Sequence, residues 1–187
     1  MKSRFSLLYL LMVLPLAACD DGFGPQEWSA TPDTIVLYSL SRPEHFNRAS
    51  GFDFGAQVGI PRRVESTFTP GQWDVVLIET NGGFAFAPAS SFEGQSSRAG
   101  LATVTGTTLE ELERAPGDSQ FLTTPVALNT GTVYAVRSRL IQTIVSSCSY
   151  YSKFEVLELN QAEGWVRFRY ILNPYCGDRR LIPPDSD

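Results

Sequence analysis

Beyond residue 30, hydrophobic and polar positions alternate with the two-residue rhythm of β-strands, and only one stretch carries a helical signature. Residues 34–41 (TIVLYSLS) predict a first strand, led in by the turn residues Thr31, Pro32 and Asp33. Residues 52–60 (FDFGAQVGI) predict a second, with Phe52, Phe54 and Ala56 on one face and Pro61-Arg62-Arg63 ending it. Residues 73–80 (WDVVLIET) are almost continuously apolar, as in a strand covered on both faces. Asn81-Gly82-Gly83 then accepts the positive φ of a tight turn. Residues 84–100 (FAFAPASSFEGQSSRAG) read as a long loop, whose aromatic side chains either tuck into the core or wall an apolar ligand. Residues 101–106 form a further short strand. Residues 108–115 (TLEELERA) predict the one short helix, opened by a Thr108/Glu111 capping box and stopped by Pro116-Gly117.

The last third is the most regular. Residues 131–145 predict a strand with a ragged end, and 150–159 and 164–172 form a β-hairpin around NQAEG. A three-residue loop at 161–163 places Phe154 opposite Tyr170 and Val156 opposite Phe168, on an apolar face. On the other face Glu155 meets Arg169. Continued outward, the same register brings Cys148 opposite Cys176. The expected architecture is therefore all-β: a single curved antiparallel sheet or sandwich with one short helix.

The N-terminus has a different character. Lys2 and Arg4 precede an apolar segment, and LAAC at residues 16–19 resembles a bacterial lipobox. This divides the chain into a signal peptide (1–18), a tether lipid-anchored through Cys19 (19–30) and a single β-rich domain (31–187). Acyl chains contribute roughly 0.8 kcal/mol per buried methylene, so the expected attachment is permanent. With Cys19 taken by lipid and the compartment oxidising, the remaining two of the three cysteines pair as Cys148–Cys176.

Composition narrows the function. A formal net charge of −5, made more negative by loss of Lys2 and Arg4 with the leader, argues against nucleic-acid binding. Lys153 is then the last lysine. The only histidine, His45, lies in a loop, so neither a hydrolytic triad nor a zinc cluster can be assembled. No nucleotide-binding fingerprint occurs, and the chain is read as a non-enzyme. Arg137 and Arg139, at spacing two, read either as an anion site or as one side of a solvated sheet face.

Three blocks carry a family resemblance. FDFGAQV, WDVVLIETNGG and the closing stretch from GTVYAVRSR through YYSKFEVLELNQAEGWVRFRYILNP resemble, in order and spacing over residues 52–174, the HmuY-like bacterial surface lipoproteins, which include haemophores. The resemblance implies an all-β grip around a haem. The family's histidine and methionine ligands have no counterpart here, because Met1 and Met12 lie in the leader and His45 lies upstream of the blocks. A bound haem would then need a tyrosine ligand, from Tyr134, Tyr150, Tyr151, Tyr170 or Tyr175. Tyr134, Tyr151 and Tyr170, with Phe84 and Phe86, are the candidate ligand contacts. The expected function is capture of haem or another small apolar ligand by an extracytoplasmic, membrane-anchored protein; the alternative is a structural or partner-docking envelope lipoprotein. A deep apolar cavity would favour the first, and a filled core the second.

Overall fold

A computed structural model describes residues 28–55, 59–64, 71–92, 96–142 and 147–184. The leader, Cys19 and Ala56 lie outside the described residues. The described residues form twelve strands in chain order: β1 (Asp33–Tyr38), β2 (Gly51–Asp53), β3 (Ile60–Arg62), β4 (Val75–Thr80), β5 (Gly83–Pro88), β6 (Gly100–Val104), β7 (Val126–Ala127), β8 (Val133–Arg137), β9 (Ile141–Gln142), β10 (Ser147–Cys148), β11 (Tyr151–Asn160) and β12 (Trp165–Leu172). They form two five-stranded antiparallel sheets. Sheet one has the order β1-β12-β11-β8-β6 and sheet two β3-β2-β4-β5-β7, while β9 and β10 make a separate ribbon. The fold is all-β.

One core lies between the sheets. Phe154 and Phe168 from sheet one interlock with Phe52, Phe54 and Phe86 from the sheet-two side, at ring separations of 5.3 to 5.9 Å. Smaller apolar layers cover the outer faces. Phe121, Ala135, Tyr151 and Leu181 pack behind sheet one, and Trp73, Val76, Ala87 and Phe92 behind sheet two.

The hairpin register holds, although its predicted loop does not. Phe154 pairs with Tyr170, Glu155 with Arg169 and Val156 with Phe168, but Asn160 pairs with Trp165, so the turn has four residues. A β-bulge at Leu157 absorbs the extra residue and restores the register. Gly164, at φ +70°, closes the turn, and a Cβ there would strike the Arg42 guanidinium. The Cys148–Cys176 disulfide forms beyond the ladder, with Cα atoms 5.8 Å apart.

Three expectations are corrected. The expected loop at 84–100 begins as β5: Asn81-Gly82 turns so tightly that Gly83 pairs with Thr80 and the chain returns along β4. Phe84 and Phe86 then face the inter-sheet core, while Ala87 lies beneath Trp73. The expected strand at 52–60 is a hairpin instead, because β2 ends at Asp53 and β3 runs back along it. Pro61 sits on this edge strand, where the missing N–H costs no ladder bond.

The helix expected at 108–115 is a single turn. Its capping box forms, with Thr108 N donating to Glu111 Oε2 at 3.0 Å and Glu111 N to Thr108 Oγ1 at 3.2 Å. The chain then pairs with the C-terminal segment: Ala115 N donates to Arg179 O at 2.8 Å and Leu181 N to Glu113 O at 2.7 Å. Eight residues hold a helix poorly unaided, and tertiary backbone pairing wins. The helical residues described are three single 3-10 turns, Pro43–His45, Ala89–Ser91 and Asp118–Gln120.

Candidate functional site

The blocks that carry the family resemblance meet at one buried ionic cluster. Asp53 closes β2, Asp74 immediately precedes β4, and Arg139 follows the end of β8. Both Asp53 and Asp74 are buried. Asp74 Oδ2 accepts from the backbone N–H groups of Phe54 at 2.7 Å and Gly55 at 2.9 Å. Its Oδ1 accepts from Arg139 N at 2.7 Å and Arg139 Nη1 at 3.2 Å. Asp53 takes the rest of the fork, with Nη1 at 2.7 Å from Oδ1 and Nη2 at 3.2 Å from Oδ2, and Arg62 Nη2 lies 3.3 Å from the same Oδ2.

Burial pushes the Asp74 carboxyl up to about 6, against the opposing pull of the Arg139 guanidinium and the N–H donors. That is a value an acid–base catalyst would use. Here, however, every carboxylate oxygen of the pair already accepts a donor from the protein. The arrangement fastens the β2–β4 side of sheet two to the end of β8 in sheet one. In the sequence Asp53 and Asp74 lie inside strand motifs, with no spacing that marks them as a site. The available signal was a carboxylate amid Phe52 and Phe54, and another heading an apolar run, since a buried charge needs a partner.

Arg137 and Arg139 do not share a side. Arg139 turns toward sheet two, whereas Arg137 donates from Nε to Arg98 O at 3.0 Å and lies over the Phe121 ring at 5.2 Å. Beside the ionic cluster a cleft of about 320 Å³ opens, lined by Trp73, Ala89, Ser97, Arg98, Arg139 and Leu140. A second cleft, of about 390 Å³, lies against Glu110, Lys153, Ile171, Ile182 and Pro183. Lys153 is buried and donates from Nζ to Leu112 O at 2.9 Å.

The candidate ligand contacts are dispersed by the fold. Phe84, Phe86, Tyr134 and Tyr170 belong to the inter-sheet core. Tyr134 stacks on Phe154 at 4.8 Å; its hydroxyl donates to Ala127 O and accepts from Asn129 N, both at 3.0 Å. Tyr170 packs on Phe52 at 4.9 Å. Tyr151 lies on the outer face of sheet one and donates to Asp118 Oδ1 at 3.2 Å. Tyr175 is exposed and meets Trp28 edge-on, and His45 meets Tyr38 edge-on. Burial raises the pKa of Tyr134, Tyr151 and Tyr170. Tyr134 and Tyr170 are packed among the core rings and Tyr151 is on the outer face against Asp118, so the three are not gathered around one haem-sized space.

Among the described residues, no group of three or more His, Cys, Asp or Glu side chains is gathered to hold a metal ion. None of their helices is long and apolar enough to cross a membrane. No protein-family model matches the chain, and no curated protein matches it in sequence.

Proposed function

We propose that the chain is a lipid-anchored, extracytoplasmic, non-catalytic binding module of HmuY-like descent that recognises its partner with the outside of the sandwich, not with a ligand between the sheets. One observation carries this reading: the inter-sheet space is filled by the protein's own rings. Phe84, Phe86, Tyr134 and Tyr170 share a single packed cluster with Phe52, Phe54, Phe154 and Phe168. A planar tetrapyrrole could enter only by displacing them, at a cost of several kcal/mol for each large side chain unpacked. The clefts described above lie outside this cluster. The LAAC sequence ending at Cys19 supports the anchor. The Cys148–Cys176 bond supports an oxidising compartment.

Haemin titration of residues 20–187, followed in the Soret region, tests the reading. The expected outcome is broad, unsaturated absorbance with no sharpened band at one equivalent. A saturable band abolished by Tyr134→Phe, Tyr151→Phe or Tyr170→Phe would overturn it and restore haem capture.

A further inference from the structure

The outer face of sheet one carries a charge arrangement that neither the ionic cluster nor the core uses. Three guanidinium groups converge on Asp118. Arg98 Nη2 lies 3.7 Å from Oδ2, and Arg137 Nη1 and Arg179 Nη1 each lie 3.7 Å from Oδ1. The Tyr151 hydroxyl donates to that Oδ1 at 3.2 Å. Among the described residues, Asp118 is the sole acidic side chain within ion-pair distance of any of the three arginines. In a protein of net charge −5, the described side chains of the site therefore hold a local excess of two positive charges.

The arginines are positioned by contacts other than this carboxylate. Charge-assisted N–H···O bonds run at about 2.7–2.9 Å, so at 3.7 Å the guanidiniums surround Asp118 without closing on it. Arg137 is braced by Arg98 O and by the Phe121 ring. Arg179 donates from Nη2 to Ala115 O at 3.2 Å and lies over the Tyr151 ring at 5.4 Å. Asn173 Nδ2 holds the surrounding segment through the carbonyls of Asp178 at 3.0 Å and Arg180 at 2.9 Å. Arg179 Nε is buried and has no hydrogen-bond partner. The Arg137 side chain is only 8% exposed, whereas those of Arg98 and Asp118 are 54% and 51% exposed. The site thus has a rigid floor and an open side.

We propose that this arginine cluster is a binding site for a phosphate-type dianion. A carboxylate offers two oxygens and one charge to three guanidiniums. A tetrahedral phosphate offers more acceptors and a second charge to the three guanidiniums, and Asp118 can swing into solvent as it enters. Two sources present this chemistry: free phosphate or a soluble phosphomonoester, and a phosphomonoester lipid headgroup. The second has a geometric basis, since Trp28 packs against Tyr175, four positions before Arg179. Trp28, the first described residue on the side of Cys19, thus packs against the segment that leads to Arg179. Only this lipid source rests on the anchored reading; the anion site stands without it.

The test uses the full mature chain carrying Cys19→Ser. Calorimetric titration with inorganic phosphate is run alongside sedimentation with phosphatidylcholine vesicles, with and without phosphatidic acid. Saturable phosphate binding supports the site with a soluble source, and sedimentation with phosphatidic acid vesicles alone supports it with a headgroup source. In either assay Arg98→Gln, at an exposed position, weakens binding about tenfold or more, and Asp118→Asn, which removes the competing carboxylate, strengthens it. Absence of saturable binding to both probes overturns the proposal, as does binding that Arg98→Gln leaves unchanged. Neither result bears on haem, so failure here is distinguishable from failure of the anchored-module reading.

Discussion

Asp74 and Lys153 are both buried charges, and the fold treats them differently. Asp74 receives N–H donors on both oxygens and the Arg139 guanidinium beside them, so with its pKa at about 6 it is ionised at pH 7. Lys153 receives one carbonyl, from Leu112. Its burial lowers the pKa from 10.5 to about 8, and the attraction of Glu110 and Glu113 offsets only part of that. The folded value lies below the unfolded one, so between pH 8 and 10.5 the unfolded chain binds more protons. Stability therefore rises with pH across that window, and at pH 7 the buried ammonium is a cost. Lys153→Met removes this cost together with the bond to Leu112 O and is expected to stabilise the protein at pH 7 by about 1 kcal/mol. It is also expected to flatten the rise above pH 8. Urea midpoints for both proteins from pH 7 to 10.5 check this, and parallel pH profiles would refute it.

At the scale of elements, the β11–β12 hairpin shows how far alternation can be read. Cross-strand pairs in its central part follow from the in–out pattern, because a slip of one residue would turn Phe154, Val156 and Phe168 to the wrong face. The turn did not follow. A four-residue connection and a bulge at Leu157 cancel in register, and neither changes which residues are apolar. The single turn at 108–111 makes a similar point. Its capping box was legible and forms, but the helix it announces loses to backbone pairing with residues 179–181. The disulfide belongs to this scale, since it clamps the ribbon strand β10 to the segment leaving β12. Removing it by Cys148→Ser with Cys176→Ser is expected to lower stability by about 3–4 kcal/mol in the chain-entropy account of a loop of this length. Thermal unfolding with and without reductant checks this: the unsubstituted protein should shift down on reduction and the variant should not move.

For the whole molecule, Phe154 is where the two sheets become one core. It touches Tyr134 and Phe168 within sheet one, and Phe54 and Phe86 from the sheet-two side. Phe154→Ala should leave a cavity that neither sheet can close alone, costing about 3–5 kcal/mol. Chemical denaturation measures it, and a loss below about 1 kcal/mol would mean that the sheets are not coupled through this ring. The proposed function rests on the same filled interior, which would leave recognition to the outer clefts and to the arginines around Asp118.

By itself the amino-acid sequence determined the all-β class, the strands of the C-terminal hairpin, the pairing of Cys148 with Cys176 and the Asn81–Gly82 turn. These follow from local rules: alternation sets faces, Asn and Gly between two apolar runs mark a reversal of the chain, and a hairpin register carries outward from its centre. Tertiary structure alone decided the rest. Arg139 lies 65 residues from Asp74 and 86 from Asp53, so nothing in the spacing could pair them. Phe84 and Phe86 read equally well as loop aromatics until β4 and β7 paired on either side of β5. Arg98, Asp118, Tyr151 and Arg179 come from separate segments and have no common motif. Their convergence is a property of packed sheets, because side chains distant in the chain become neighbours only once the whole core has formed.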